Sequence, residues 1–158
     1  MATNKLVNIL GGGLLSASVL LLVFWAFFSP WQFAEDAAFF GVRIGSYFLM
    51  AILSLLSGFI LAVLTPNEDW GRYYLRYGLF LGIVIAILAA GNAAWEVKKL
   101  AEVSMPLRGS TYEFPSLTHV FFTNLAIDIV LLILATLVSS IGYGIGDRVK
   151  GLFRPSKI

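Results

Sequence analysis

Two polar residues one helical turn apart, Asn124 and Asp128, are the residue types in this sequence best suited to chemistry in apolar surroundings. They interrupt a long run of Val, Leu, Ile and Phe. A charged carboxylate inside a bilayer costs about 2.5–3.5 kcal/mol on insertion scales, so such a group is usually protonated, paired or exposed to a wet cavity. Asp128 is therefore a candidate for a proton or cation relay. The competing hypothesis, which the pattern favours, is a hydrogen bond between helices, to Asn92, Ser54 or a partner subunit's cation. Asn124, one turn away on the same face of the same segment, is also placed to bond to the carboxylate.

Three further polar residues stand near the ends of apolar stretches. His119 begins the same stretch as the carboxylate but lies on the opposite side of a helical wheel, so the two do not form a linear proton path. We expect it to be an interface histidine. Arg43 is predicted to snorkel towards the membrane surface or to pair with Asp36 or Glu35. Asn92 is predicted to be a contact between packed helices.

Four apolar segments must position these residues: 6–28, 42–64, 74–95 and 119–143. Each has about the 20 residues that cross about 30 Å of hydrocarbon. Of the 158 residues 59% are hydrophobic and 13% charged, whereas about a quarter of a soluble domain is charged. We predict an all-α integral membrane protein, a single transmembrane domain built as an antiparallel four-helix bundle. Asp128 would then lie near the middle of the bilayer.

The ends of these segments carry local signals. Bulky residues, among them Trp25, close the first segment, so we expect a retained span and not a cleaved signal peptide. The stretches S-P-W-Q at 29–32 and T-P-N-E at 65–68 read as capping boxes with proline at the first helical position. They predict that the second and third helices begin near Pro30 and Pro66. Nothing breaks the third helix before Pro106, so it is expected to continue to about Val103.

Basic residues in the loops predict the orientation of the bundle. The side that holds both termini carries more of them: Lys5, Arg72, Arg76, Arg148, Lys150, Arg154 and Lys157. The other side carries fewer: Arg43, Lys98, Lys99 and Arg108. Both termini are therefore predicted to be cytoplasmic.

Small residues recur at helical spacing and predict close helix packing. Membrane helices approach each other closely where Gly, Ala and Ser line one face. The predicted packing residues are Gly58 in the second span, Gly78, Gly82, Ala86 and Ala90 in the third, and Ser139, Gly142 and Gly146 in the fourth. Those of the fourth span share a face with Asn124 and Asp128. The pattern leaves open whether these faces pack within one chain or against a partner subunit.

The fourth segment ends in S-I-G-Y-G, residues 140–144, which resembles the selectivity-filter signature of potassium channels, T-V-G-Y-G. A filter needs a re-entrant loop and a following inner helix that lines the pore. The fifteen residues that follow Tyr143 here are rich in basic and polar types and contain no further apolar segment. We therefore expect this stretch to form the last turns of the fourth span.

The composition also limits the function classes. The chain has no cysteine and one histidine, so thiolate metal sites, iron–sulfur clusters and bis-histidine haem within one chain are excluded. Catalytic motifs are lacking, and the scattered basic residues are not typical of nucleic-acid binding. We predict no metal, no catalytic residues and no motif-bound cofactor, although apolar grooves between helices can hold lipid or pigment. The expected partners are membrane lipids and other membrane subunits or a second copy.

Three functional hypotheses follow. The first is a non-catalytic accessory or scaffold subunit of a larger membrane complex, such as an energy-transducing or transport complex. The second is a small homo-oligomeric transporter or channel that couples to ions or protons through Asp128. The third is a membrane enzyme acting on lipid or quinone, which is disfavoured because no pair of titratable groups converges in the sequence.

Overall fold

The computed structural model describes residues 2–28, 39–65, 70–104 and 116–153. They form four helices: α1 (Ala2–Phe28), α2 (Phe39–Leu64), α3 (Gly71–Ser104) and α4 (Leu117–Phe153). Three of these contain a stretch long and apolar enough to cross a membrane: Lys5–Val23, Gly71–Lys99 and Leu117–Leu152. The described apolar part of α2, Phe48–Leu64, is shorter. The prediction of an all-helical chain is thus confirmed for the described residues.

Local hydrogen bonds explain where several helices begin and end. The Ser116 hydroxyl accepts the backbone N–H of His119 at 3.2 Å and so caps α4. At the end of α2, the backbone N–H and the hydroxyl of Thr65 both donate to the Leu61 carbonyl, at 2.9 and 2.6 Å. Proline follows Thr65 and disfavours further helix at the preceding residue.

The predicted helix starts near Pro30 and Pro66 fall on residues outside the described ranges. Helix α3 begins at Gly71, after Trp70, and ends at Ser104, beside the predicted end at about Val103. Helix α4 runs on to Phe153, well beyond residue 143. The S-I-G-Y-G stretch is therefore continuous helix, without the re-entrant loop that a potassium filter requires.

Helices α1 and α3 lie side by side and run in the same direction. A Cβ atom added at Gly11 would overlap the Gly71 carbonyl, and one added at Gly78 would lie 2.7 Å from the Leu15 backbone nitrogen. Positions further along α1 thus meet positions further along α3. This close approach is possible because glycine leaves the backbone uncovered.

Helix α1 runs antiparallel to α4. A Cβ at Gly12 would overlap the Tyr143 ring, and Ala17, further along α1, packs in one cluster with Leu132 and Ala135, which come earlier in α4. Because the helices are antiparallel, the sequence numbers of two facing residues add up to about the same value along the whole contact. By this register, residue 25 of α1 lies level with residue 128 of α4.

Helix α2 runs parallel to α4 on the other side. Gly142 of α4 meets the Leu55 carbonyl, and Gly146, one turn later, meets Phe59 and Ala62. Over the described residues no Cα atom of α2 lies within 8 Å of α3, whereas every other pair of helices is in contact. Helices α1 and α4 therefore form a central pair, flanked by α3 on one side and α2 on the other.

The interior is built from small side chains and the exterior from large apolar ones. The most deeply buried residues include Ala17, Ala90, Ser18, Ser54 and Ser139, each at 0% exposure. Large Leu, Ile, Val and Phe side chains are exposed on all four helices. All eight predicted packing residues are buried within this one chain: Gly58, Gly78, Gly82, Ala86, Ala90, Ser139, Gly142 and Gly146.

Candidate functional site

The contact between α1 and α3 is stabilised by polar side chains that form hydrogen bonds with the backbone of the neighbouring helix. The Gly71 N–H donates to Asn8 Oδ1 at 2.9 Å, and the Ser18 hydroxyl donates to the Gly78 carbonyl at 2.8 Å. Ser18 is fully buried. These polar groups hold two helices together and are not available to a ligand.

The α2–α4 contact uses the same chemistry. The Ser139 hydroxyl donates to the Ser54 carbonyl at 2.8 Å, and further along both helices Lys150 Nζ donates to the Thr65 carbonyl. In each pair the two residues are 85 positions apart. The two contacts therefore share one helix register.

A polar cluster lies at the end of the molecule that carries the start of α1 and the end of α4, which we call the terminal end. Lys5 Nζ lies 3.7 Å from Asp147 Oδ2, with the Lys5 side chain largely and the Asp147 side chain partly in solvent. The hydroxyls of Thr65 and Tyr74 are 3.1 Å apart. The buried Tyr143 packs its ring over Gly12. Helices α1, α3 and α4, and the residue that directly follows α2, thus contribute polar groups to this end.

Asp128 lies towards the opposite end of α4 and is partly buried. Among the described residues its carboxylate makes no hydrogen bond or ion pair. Asn124 donates instead to the Val120 carbonyl of its own helix, at 2.8 Å. Ser54 meets Ser139, which is about 16 Å from Asp128 at 1.5 Å of rise per residue. The partners proposed from the sequence within the chain are therefore bonded elsewhere or distant.

Asn92 lies on α3, beyond the level of Asp128. Gly82 packs against Leu132, and since α3 and α4 run antiparallel, Ala86 falls at the level of Asp128. Asn92 is then about 9 Å further along the axis. Its amide donates to Glu96 Oε1, one turn on, at 3.2 Å, so it belongs to the polar end of α3.

The helix registers place Asp128 relative to the described parts of α1 and α2. By the registers of α1 and α2 against α4, the described part of α1 ends, and that of α2 begins, close to the level of residue 125. Asp128 thus lies about one turn, or about 5 Å, inside the level where the described parts of those two helices end. Hydropathy gives the length of an apolar segment, but it does not give the stagger between neighbouring helices.

The remaining predicted site residues are not gathered around this carboxylate. His119 is exposed in the first turn of α4. Arg43 belongs to the second turn of α2, while its side chain lies outside the described part of the structure. No group of three or more His, Cys, Asp or Glu side chains that could hold a metal occurs among the described residues.

Trp25 is not among the site residues predicted from the sequence. Its indole N–H is buried and has no hydrogen-bond partner within the described part of the chain, and the same is true of the Ser54 and Ser140 hydroxyls. The α1–α4 register places Trp25 at the level of Asp128. No sequence signal marks an unpaired indole, because a tryptophan at the end of a span is also typical of an aromatic belt.

Comparison of this chain with protein-family models, with curated proteins and with solved structures finds no match.

Proposed function

We propose that the chain is a multi-pass membrane protein, a four-helix antiparallel bundle with both termini in the cytoplasm, that serves as a non-catalytic structural subunit of a larger membrane complex. A lipid environment is supported by three helices long and apolar enough to span a membrane and by the large apolar side chains exposed on all four described helices. Lipid tails accept such an exterior, whereas water does not.

A fourth crossing by α2 is supported by the contact between the two ends of the chain. The Lys5–Asp147 ion pair brings the start of α1 and the end of α4 to one side. An even number of crossings is needed for that, while three would separate the two residues across the bilayer. Helix α2 has 26 residues and is about 39 Å long, which exceeds the hydrocarbon thickness.

The distribution of basic residues supports a cytoplasmic terminal end. Five described basic residues lie at or near this end: Lys5, Arg72, Arg76, Arg148 and Lys150. At the opposite end, Lys98 and Lys99 lie over the Trp95 ring, with Nζ 5.2 and 5.7 Å from its centroid. The excess of basic residues at the terminal end agrees with the positive-inside rule.

The proposal of a structural role rests on the direct contact between α1 and α4, the central pair of helices. At Gly12 and Gly13 a Cβ atom would overlap Tyr143 and Ser140, so the central pair encloses no passage at this level. The buried hydroxyl of Ser18 and that of Ser139 bond to neighbouring helices. The interior of the bundle thus serves packing, while its apolar exterior is free to meet lipid or other subunits.

Purification from native membranes in a mild detergent tests this proposal. We expect the tagged chain to bring down other membrane subunits in fixed stoichiometry. Gly91 provides a probe, because a Cβ atom there would meet nothing within 4 Å. If a partner helix packs closely at Gly91, Gly91→Leu should release that partner while the chain itself stays folded.

Recovery of the chain alone, as a homo-oligomer, would contradict the subunit role and favour a second candidate, a transporter or channel that uses Asp128. The observation behind that candidate is the partly buried carboxylate, which has no partner among the described residues. Reconstituted in vesicles, such an oligomer should show proton or cation flux that Asp128→Asn abolishes and Asp147→Asn, at the terminal end, leaves intact.

A further inference from the structure

Two arginines, Arg72 and Arg76, are exposed one helical turn apart in the first two turns of α3. Residues at this spacing are neighbours on the helix surface, where two like charges repel each other. Among the described residues neither guanidinium makes a hydrogen bond or an ion pair. The carboxylate of Asp147, which lies at this end, is paired with Lys5 instead. The two arginines therefore have no counter-charge within the described parts of the chain.

Exposed aromatic side chains accompany these arginines. Tyr73 and Tyr77, which directly follow them, are 58% and 64% exposed, and Trp70 is 48% exposed. Tyrosine and tryptophan are enriched where hydrocarbon meets the lipid headgroups, because their rings are apolar and their tips are polar. The start of α3 thus presents cationic and aromatic groups side by side to the surroundings of the bundle.

The exposed surface of α3 indicates the depth of the arginines in a membrane. From Arg76 to Trp95 the helix rises about 28 Å, close to the hydrocarbon thickness of about 30 Å. The exposed side chains between these two residues are all apolar or aromatic: Tyr77, Leu79, Phe80, Ile83, Ile87 and Leu88. With this surface in the hydrocarbon, Arg72 and Arg76 lie at the level of the headgroups on the side of the terminal end.

The charges at the two ends of the molecule favour anionic headgroups on this side. In the sequence, the segments of the terminal end carry seven basic residues and three acidic ones, Glu68, Asp69 and Asp147. The segments of the opposite end carry four basic residues and five acidic ones. A surplus of Lys and Arg beside a membrane attracts anionic lipids, so the terminal end is the side that recruits them.

We propose that Arg72 and Arg76 bind the phosphate of an anionic phospholipid, whose acyl chains lie along the exposed apolar side chains of α3. A guanidinium matches phosphate oxygens with two parallel hydrogen bonds, and an anion between the two arginines removes their mutual repulsion. The side chains supply the binding groups, because the Gly71 N–H at the start of α3 is already bonded to Asn8. The site depends on the placement of the chain in a membrane and not on its role as a subunit.

Thermal unfolding of the full chain in mild detergent, with lipid added back, tests the site. Phosphatidylglycerol should raise the unfolding midpoint by about 3–5 °C more than phosphatidylcholine with the same acyl chains, because a ligand of the native state stabilises it. Arg72→Gln combined with Arg76→Gln should abolish this difference. The matched control, Lys98→Gln with Lys99→Gln, removes the same charge from the other end of α3 and should retain it.

Equal shifts from the two lipids in the unaltered chain, or an undiminished difference in the double arginine variant, would overturn the proposal. Inorganic phosphate, added at the same phosphate concentration, separates a lipid from a free anion. It should leave the midpoint unchanged. A shift as large as that from phosphatidylglycerol would overturn a lipid as the occupant.

Fluorescence of Trp70 gives a local test, in a chain whose other three tryptophans are replaced by phenylalanine. In phosphatidylcholine vesicles, a minor share of phosphatidylglycerol brominated near the headgroup end of its chains should quench Trp70 about twofold more than the same share of brominated phosphatidylcholine. Arg72→Gln with Arg76→Gln should remove this preference, and Lys98→Gln with Lys99→Gln should keep it. Equal quenching by the two brominated lipids in the chain with both arginines would contradict the site.

Discussion

At the scale of single residues, Ser54 and Ser139 take part in one helix contact with unequal roles. The Ser139 hydroxyl donates to the Ser54 carbonyl at 2.8 Å, while the Ser54 hydroxyl is buried without a partner among the described residues. Interhelical hydrogen bonds in membranes contribute about 0.6 kcal/mol on average, up to about 1.7 kcal/mol. We expect Ser139→Ala to lower stability by about 0.5–1.5 kcal/mol. Ser54→Ala should leave it unchanged or raise it slightly, because it removes an unpaired polar group.

Unfolding of purified protein in mixed micelles, followed by circular dichroism, measures both changes. Each alanine keeps the helix and removes one hydroxyl, so the two variants serve as controls for each other. A loss from Ser54→Ala as large as that from Ser139→Ala would show that the Ser54 hydroxyl is bonded in the native protein.

Residue types were easier to predict from the sequence than residue partners. Ser139 was identified as a packing residue because it lies on a face of small side chains, and in the structure it is fully buried. The Asn124 amide was expected near the Asp128 carboxylate, yet it bonds to the Val120 carbonyl. Helical periodicity fixes which face a residue occupies, but the choice between a backbone carbonyl and a neighbouring side chain depends on the rotamer.

At the scale of helices, two nearby glycines of α4 should respond in opposite ways to alanine. At Gly142 a Cβ atom would overlap the Leu55 carbonyl, which belongs to rigid backbone, so α2 and α4 must move apart. We expect Gly142→Ala to cost about 1–3 kcal/mol, as overpacking does. At Gly144 the nearest atom is Ile9 Cδ1 at 4.0 Å. Gly144→Ala should therefore gain up to about 0.5–1 kcal/mol from higher helix propensity.

The midpoint of thermal unfolding, measured in the same detergent for both variants, checks this difference. A loss at Gly144 equal to that at Gly142 would contradict the α2–α4 contact, because Gly142 faces α2 in the structure and Gly144 does not.

Hydropathy predicted which segments form helices. It did not predict how far neighbouring helices are offset along their axes. The spacing of Gly78 and Gly82 predicted a packing face on α3, and both residues are buried. That Asp128 lies near the middle of the bilayer remains a prediction from the length of one apolar segment. The described parts of α1 and α2 end about one turn beyond the level of Asp128. That stagger is set by where glycine and serine of two helices meet, which no single segment reveals.

At the scale of the whole molecule, the proposed topology predicts which positions react on intact cells. Since the chain has no cysteine, single cysteines can be introduced one at a time. Lys99→Cys should react with a membrane-impermeant thiol reagent from outside. Lys5→Cys and Leu152→Cys should react only after the membrane is made permeable. Leu152 is 83% exposed, so its protection on intact cells would come from the bilayer and not from packing.

Labelling of Lys5→Cys and Leu152→Cys from opposite sides would show that α2 does not cross the membrane. Labelling of both from outside would reverse the orientation that the basic residues predict, while leaving the even number of crossings intact.

The lack of close backbone contact between α2 and α3 among the described residues has a consequence for synthesis of the chain. These helices follow each other in sequence, yet they lie on opposite sides of the α1–α4 pair. When a ribosome has made only the first three helices, α3 can already seat on α1 through Asn8 and Ser18. Helix α2 must wait for α4, which is made last and supplies Ser139, Gly142 and Gly146. A nascent chain stalled before α4 would therefore hold α2 only through its smaller contact with α1 and the Thr65–Tyr74 hydrogen bond, with the face that meets α4 uncovered.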